Sequence, residues 1–181
     1  MSDGRLIAVV GPSGVGKDSI IAGIIAASPQ IIPVRRVITR APDLGGEDYD
    51  PVSEPEFLTA IGQNEFCVHW TAHGLHYGIP SRVQRDVENG SDCLVNLSRS
   101  TLIDASQKFQ HLTVLNITAK PETLVRRLSQ RGRETANEIT QRLLVAEKPI
   151  PTGLDVIEIP NDGPLECAVN SALNALQPRR G

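Results

Sequence analysis

Gly11-Pro12-Ser13-Gly14-Val15-Gly16-Lys17-Asp18 follows directly on the apolar run Leu6-Ile7-Ala8-Val9-Val10. A buried strand that breaks into a glycine-rich loop and restarts as a helix gathers backbone N–H donors around one anionic ligand. The helix dipole adds to those donors, and Lys17 supplies a point charge able to reach outer phosphates. Glycines at 11, 14 and 16 let the main chain approach phosphate where a Cβ would collide. Gly11, Pro12, Ser13, Gly14, Val15, Gly16 and Lys17 are therefore candidate phosphate contacts, with Lys17 the candidate catalytic cation. The downstream context agrees, because Ile20, Ile21, Ile24 and Ile25 recur with helical period. An ordinary glycine-rich turn would require neither the lysine nor this spacing.

Loops of this kind commonly end in Lys followed by Ser or Thr, whose hydroxyl sits on Mg²⁺. Here Lys17 is followed by Asp18 and then Ser19. Three readings are open. The Asp18 carboxylate is a good ligand for a hard cation; the Ser19 hydroxyl is another; or Asp18 caps the first helical turn.

Bulk properties narrow the partners. A chain of 181 residues with 40% hydrophobic content and net charge −3 fits one soluble domain and argues against a large nucleic-acid surface. No apolar run approaches the ~18 residues that span a membrane. The N-terminus lacks a basic segment and cleavage site, which points to the cytoplasm. Cys67, Cys93 and Cys167 are widely spaced and read as reduced thiols. His69, His73 and His76 fall on alternating faces of a hairpin pattern, which argues against a metal cluster. Fourteen arginines against four lysines suit bidentate phosphate contacts, although compositional bias gives the same ratio.

The elements that must position these groups alternate. The pattern predicts a strand over 5–10, the phosphate loop, a helix over 18–27 and a strand near 34–39. A polar loop containing Gly45-Gly46 follows, and Ser53-Glu54-Pro55-Glu56 reads as a capping box opening a short helix to about Ile61. Residues 65–79 form a hairpin, and Pro80 opens a helix that Gly90 closes. Cys93–Leu97 and Leu112–Ile117 are compact apolar strands of the kind buried in parallel sheets. Pro121 starts a helix running to Arg131-Gly132; another covers about 136–147. A last strand lies at Val156–Ile159 and a last helix at 164–176. Alternation of this kind gives an α/β, doubly wound parallel sheet with ligand at the carboxyl ends of its strands. Residues 34–79 interrupt it as an inserted lobe.

With these pieces in place the chain resembles the guanylate-kinase-like nucleoside monophosphate kinases, a P-loop NTPase fold, over about residues 5–176. The matching residues are Gly-Pro-Ser-Gly-x-Gly-Lys at 11–17, Thr39-Arg40, Asp48-Tyr49, Glu56-Phe57, Tyr77-Gly78, Arg131-Gly132, Arg142-Leu143 and Asn161-Asp162. The resemblance implies ATP and Mg²⁺. It implies that Arg40, Tyr49 and Tyr77 hold the acceptor's phosphate in the lobe. It implies that Arg131 and Arg142, on a helical lid at about 129–147, clamp the transferring group. Asn161 falls where the backbone lies beside adenine. The departures are at the base-reading positions. Val68 stands for a glutamate, Ile79 for a Ser or Thr, Asn96 and Ser98 for an acidic pair, and Asp43 for a second arginine. A site lacking those hydrogen-bonding groups discriminates guanine poorly.

A closer resemblance is to the ribose 1,5-bisphosphate phosphokinases of phosphonate catabolism, which form 5-phosphoribosyl 1-diphosphate (PRPP). It rests on the loop ending Gly16-Lys17-Asp18-Ser19, on Ile38-Thr39-Arg40, on Trp70 with His73-Gly74-Leu75, on Leu94-Val95-Asn96 with Ser98-Arg99, on Arg131-Gly132-Arg133-Glu134 and on Asn161-Asp162-Gly163. The implied acceptor carries two phosphates and no base, matching retention of Arg40 and an extra cation at Arg99 or Arg133. The partners expected are small molecules, with no nucleic acid or membrane, acting on a monomer or homodimer. Blander readings stand beside each role. Arg40 is a solvated loop charge, Arg131 and Arg142 are helix charges paired with Glu134 or Glu138, and Trp70 is lobe core. Guanylate kinase, another small-molecule kinase on this scaffold, and a non-catalytic binding module remain the alternatives.

Overall fold

The computed structural model describes residues 4–42, 47–132, 134–144 and 148–177, with the side chains of Arg142 and Leu144 outside that description. Strand β1 (Leu6–Val10) is buried at every position, so one strand feeds two cores. Ile7 and Val9 face one side with Ile20 and Ile24 of helix α1 (Lys17–Ala27) and Ala168, Val169 and Ala172 of helix α7 (Leu165–Leu176). Leu6, Ala8 and Val10 face the other, against Val83 and Val87 of helix α3 (Arg82–Glu88) and Leu102 and Ala105 of helix α4 (Leu102–Lys108). This is the burial that a continuous apolar run in a parallel sheet requires.

The first sheet has the order β2-β7-β1-β8-β9, from β2 (Ile32–Pro33), β7 (Cys93–Asn96), β8 (Leu112–Thr118) and β9 (Asp155–Pro160). Every pairing in it is parallel. The chain runs from β1 outward to β2 on one side, and from β7 it crosses over β1 to β8 on the other, so the crevice at the carboxyl end of β1 is the topological switch point. The second sheet, in the order β4-β3-β6-β5, is built from β3 (Arg36–Ile38), β4 (Tyr49–Pro51), β5 (Phe66–Ala72) and β6 (Leu75–Pro80). It carries helix α2 (Glu54–Gly62) on one face, with Phe57 stacked against Phe66 at 4.7 Å. The capping box at Ser53 forms as expected: Ser53 Oγ accepts from the Glu56 amide, and Glu56 accepts from the Ser53 amide. The Ser53 hydroxyl, which also donates to Glu56, and then the Ser53 amide hold the Glu56 carboxyl below its usual range.

Three expectations change. The strand near 34–39 is two short strands, β2 and β3, one in each sheet, joined by a break at Val34-Arg35. Pro80 does not open a helix; it ends β6, and Ser81 precedes α3. Among the described residues the β3 side of β6 pairs no further than Gly78, so the missing proline N–H costs no ladder bond there. The chain also forms β4 and, after β7, a 3-10 turn at Arg99–Thr101 leading into α4. The Gly45-Gly46 loop and the proposed end of the lid helix at 145–147 lie outside the described residues.

Candidate active site

The phosphate loop is shaped by its last glycine. Gly16 is the N-cap of α1 with φ of 99°, and a Cβ there would sit 2.8 Å from Asn161 Nδ2. A side chain would therefore strain the backbone and collide with its neighbour. Behind the loop, Asn161 Nδ2 donates to the Val15 carbonyl at 2.8 Å, and Arg127 donates to the same oxygen at 3.2 Å. Asn161 is buried, so its side chain buttresses the loop from behind. Its neighbour Asp162 accepts from the Lys120 amide and the Thr123 hydroxyl, tying β9 to the start of helix α5 (Pro121–Gln130). These two bonds hold the Asp162 carboxyl below its ordinary value.

Lys17 Nζ donates to the carbonyls of Gly11 at 2.7 Å and Pro12 at 3.2 Å, which folds the ammonium back over the loop. Asp18 is not a helix cap: the N-cap is Gly16, without a side-chain cap bond. Its carboxylate instead faces the cleft and accepts from Asn96 Nδ2, at the end of β7, at 3.3 Å. Ser19 is exposed and lies outside the cleft wall.

The loop opens into a cleft of about 1470 Å³ between the two sheets. That exceeds the ~300–1,000 Å³ of single-ligand pockets and has room for a nucleotide and an acceptor together. Among the described residues its wall carries six cations, Lys17, Arg36, Arg40, Arg99, Arg131 and Lys148, against the two carboxylates Asp18 and Glu47. A chain of net charge −3 thus concentrates positive charge at one place. Arg99 follows β7 and donates to Asn116 Oδ1 at 2.9 Å and to the Lys148 carbonyl at 3.4 Å, fixing its fork over the end of β8. Tyr77 is buried at the lobe side of the wall and stacks on Trp70 at 5.2 Å. Trp70 is thus both packed in the lobe and part of the wall.

Tyr49 does not reach the wall; its hydroxyl donates to the Ala41 carbonyl at 2.6 Å, and its ring lies 5.3 Å beneath the Arg40 guanidinium. The ring therefore orients Arg40. Arg131 caps α5 and lines the cleft with Thr140 and Leu143 of helix α6 (Ala136–Leu144). Glu138 is not its counter-ion, because that carboxylate accepts from the amide and hydroxyl of Thr135. The Arg142 side chain and Arg133 lie outside the described residues. Val68 and Ile79 stand directly opposite each other across β5 and β6, both buried, and contribute no polar group to the wall.

Sequence reasoning missed Arg36 and Glu47. Arg36 is buried, its Nε donates to Glu47 Oε2 at 2.9 Å, and its Nη2 donates to Oε1 of the same carboxylate. The available signal was strand alternation, which puts Arg36 on one face with Ile38.

Comparison with known proteins follows this geometry. The family model described as guanylate kinase matches residues 3–174. A protein of a Ruegeria species named ribose 1,5-bisphosphate phosphokinase PhnN is 48% identical over 178 residues, covering 98% of this chain and 94% of that one. A protein of the same name from Agrobacterium fabrum is 41% identical, with 97% and 98% covered. The crystal structure of guanylate kinase from Anaplasma phagocytophilum superposes with a TM-score of 0.68 over 98% of this chain and 86% of that one. At 22% identity that likeness speaks to the fold. A phosphate loop at the switch point, a second sheet closing the cleft, and a family match spanning nearly the whole chain agree: the chain belongs to the guanylate kinase family.

Proposed function

We propose that this protein transfers the γ-phosphoryl group of ATP to the 1-phosphate of ribose 1,5-bisphosphate, giving ADP and 5-phospho-α-D-ribose 1-diphosphate (PRPP), in phosphonate catabolism. The observation that carries this reading is the cleft wall opposite the phosphate loop. It presents Arg36 and Arg40, while the positions where a guanine reader holds polar groups are the buried pair Val68 and Ile79. Such a wall suits a phosphorylated acceptor without a base. The near-full-length likeness to proteins named for this reaction supports it.

The bond that breaks joins the γ-phosphorus to the β–γ bridging oxygen, and the bond that forms joins that phosphorus to an oxygen of the acceptor's 1-phosphate. That oxygen is already deprotonated near neutral pH, so no general base is needed. The residues contribute alignment and charge. Lys17 and the loop amides hold the nucleotide's phosphates, Arg40 on its Tyr49 platform seats the acceptor phosphate, and Tyr77 closes the lobe side. Arg131, and Arg142 of the same lid, are assigned to the transferring group, and Arg99 or Arg133 supplies the extra cation for the acceptor. The second sheet thus serves as the acceptor lobe, and α5 with α6 as the lid.

The donor set fits Mg²⁺. Among the described residues no three His, Cys, Asp or Glu side chains converge, while one carboxylate, Asp18, stands at the mouth of the loop. Mg²⁺ is held in such sites by one or two carboxylates together with substrate phosphates and water. Bound there it would neutralise phosphate charge. Asp18→Ala is then expected to raise the Mg²⁺ concentration for half-maximal activity about tenfold, and Asp18→Ser to recover most of that loss. Since Asp18 is exposed and caps nothing, the melting temperature of either variant stays close to wild type. An unchanged Mg²⁺ titration for Asp18→Ala would remove Asp18 from the metal site.

The functional reading is tested by ADP release across ribose 1,5-bisphosphate, GMP, AMP and gluconate. Ribose 1,5-bisphosphate is expected to exceed GMP in kcat/KM at least about a hundredfold. Faster turnover of GMP would replace the assignment with guanylate kinase. ATP binding with no turnover of any acceptor would favour a binding module.

A further inference from the structure

Among the described residues Arg36 and Glu47 form the most buried ion pair in the cleft, with side chains 8% and 15% exposed. The pair does not sit in the core, where it would only bridge elements. Both residues line the same cleft as the phosphate loop. The Arg36 guanidinium also lies 5.0 Å from the Tyr77 ring and 5.8 Å from the Trp70 ring, over two rings that stack almost parallel. A planar cation is thus held rigidly between an aromatic platform and a bidentate carboxylate. Glu47 Oε1 also stands 4.0 Å from Arg40 Nη1. One carboxylate therefore serves two arginines in a cleft built to take anions.

Resting on the functional reading above, we propose that Arg36 is the specificity-determining residue for the acceptor's second, non-reacting phosphate, and that Glu47 is the internal anion which that phosphate displaces. The argument is one of mobility and charge. Cations at the transferring group must follow charge that develops during reaction, and the exposed Arg131 can do so. Arg36 is buried and fixed on its ring platform, so it suits a phosphate whose charge does not change. A phosphate dianion accepts the same fork that the carboxylate now accepts, with an additional charge. Exchange leaves Arg36 paired throughout, so the desolvated cation is never uncompensated. An acceptor without the second phosphate leaves Glu47 in place and gains nothing from Arg36. Selectivity for a bisphosphate follows from that difference.

The test compares ribose 1,5-bisphosphate with ribose 1-phosphate, which lacks only the second phosphate, in ADP-release kinetics. Wild type is expected to prefer the bisphosphate about 100-fold in kcat/KM, as a charge-assisted bidentate contact is lost from the shorter substrate. In Arg36→Met the preference should collapse to about threefold, mostly through KM for the bisphosphate; Arg36→Lys, keeping charge without the fork, should fall between. Glu47→Gln keeps the shape but removes the competing charge, and should lower KM for the bisphosphate about fivefold. Arg36→Lys and Glu47→Gln also supply the answer should Arg36→Met fail to fold. Equal loss on both substrates, or a higher KM in Glu47→Gln, overturns the proposal while the functional reading stands. Wild-type turnover of neither sugar phosphate overturns both.

Discussion

Lys17→Ala is expected to lower kcat by about 10⁴-fold while leaving the fold intact. The Lys17 ammonium lies against the Gly11 and Pro12 carbonyls, within a loop whose shape is set by other groups: the left-handed Gly16, the Asn161 amide and Arg127. Removing the lysine therefore leaves the cradle standing and deletes the charge at its centre. Backbone donors still bind nucleotide, so the loss falls chiefly on the chemical step, where charge on the transferring group is greatest. Single-turnover kinetics, nucleotide binding and a melting curve on the same variant separate these effects. Near-wild-type turnover by a folded Lys17→Ala protein would make the loop a structural turn.

The loop and its flanking elements were legible because their causes are local. Five apolar residues, three glycines and a lysine lie within twelve positions, and strand, cradle and helix follow from neighbours in sequence. The same holds for the capping box at Ser53 and for the start of α5 at Pro121. The elements that escaped notice depend on distant partners. Strand β4 holds only Tyr49, Asp50 and Pro51, and exists because Arg36–Ile38 pairs with it. The Arg99–Thr101 turn begins in a serine-rich stretch that reads as loop until the Ser98 hydroxyl is seen to accept from the Ser100 amide.

The same distinction separates the site residues. Arg40 came to attention beside Thr39, a short motif. Arg36 is buried only because Glu47, Trp70 and Tyr77, from three other segments, converge on it. A charge in a three-residue strand carries no sign of such company. The resemblance put Tyr49 at the acceptor phosphate; the structure shows the ring under Arg40, a contact between residues nine positions apart that no short motif announces. Asn161 is similar. Its backbone was expected beside adenine, and its side chain is found bonded to the loop across 146 positions of sequence.

Arg131→Ala is expected to lower kcat by about 10³-fold with a much smaller change in the KM for ATP. Arg131 ends α5, where Gly132, with φ of 66°, turns the chain away before α6 begins. That turn sets an exposed guanidinium at the cleft wall, on the side formed by Thr140 and Leu143. No carboxylate among the described residues pairs with it, so its charge is available to the transferring group. A cation in that position is worth most when charge spreads over the equatorial oxygens, which is why kcat rather than KM should carry the loss. Arg131→Lys keeps the charge but loses the planar fork, and should recover part of the rate. Because the side chain is exposed, both variants should melt with wild type. If Arg131 is instead a solvated helix charge, alanine will leave kcat within about threefold of wild type, as substitutions at such positions do.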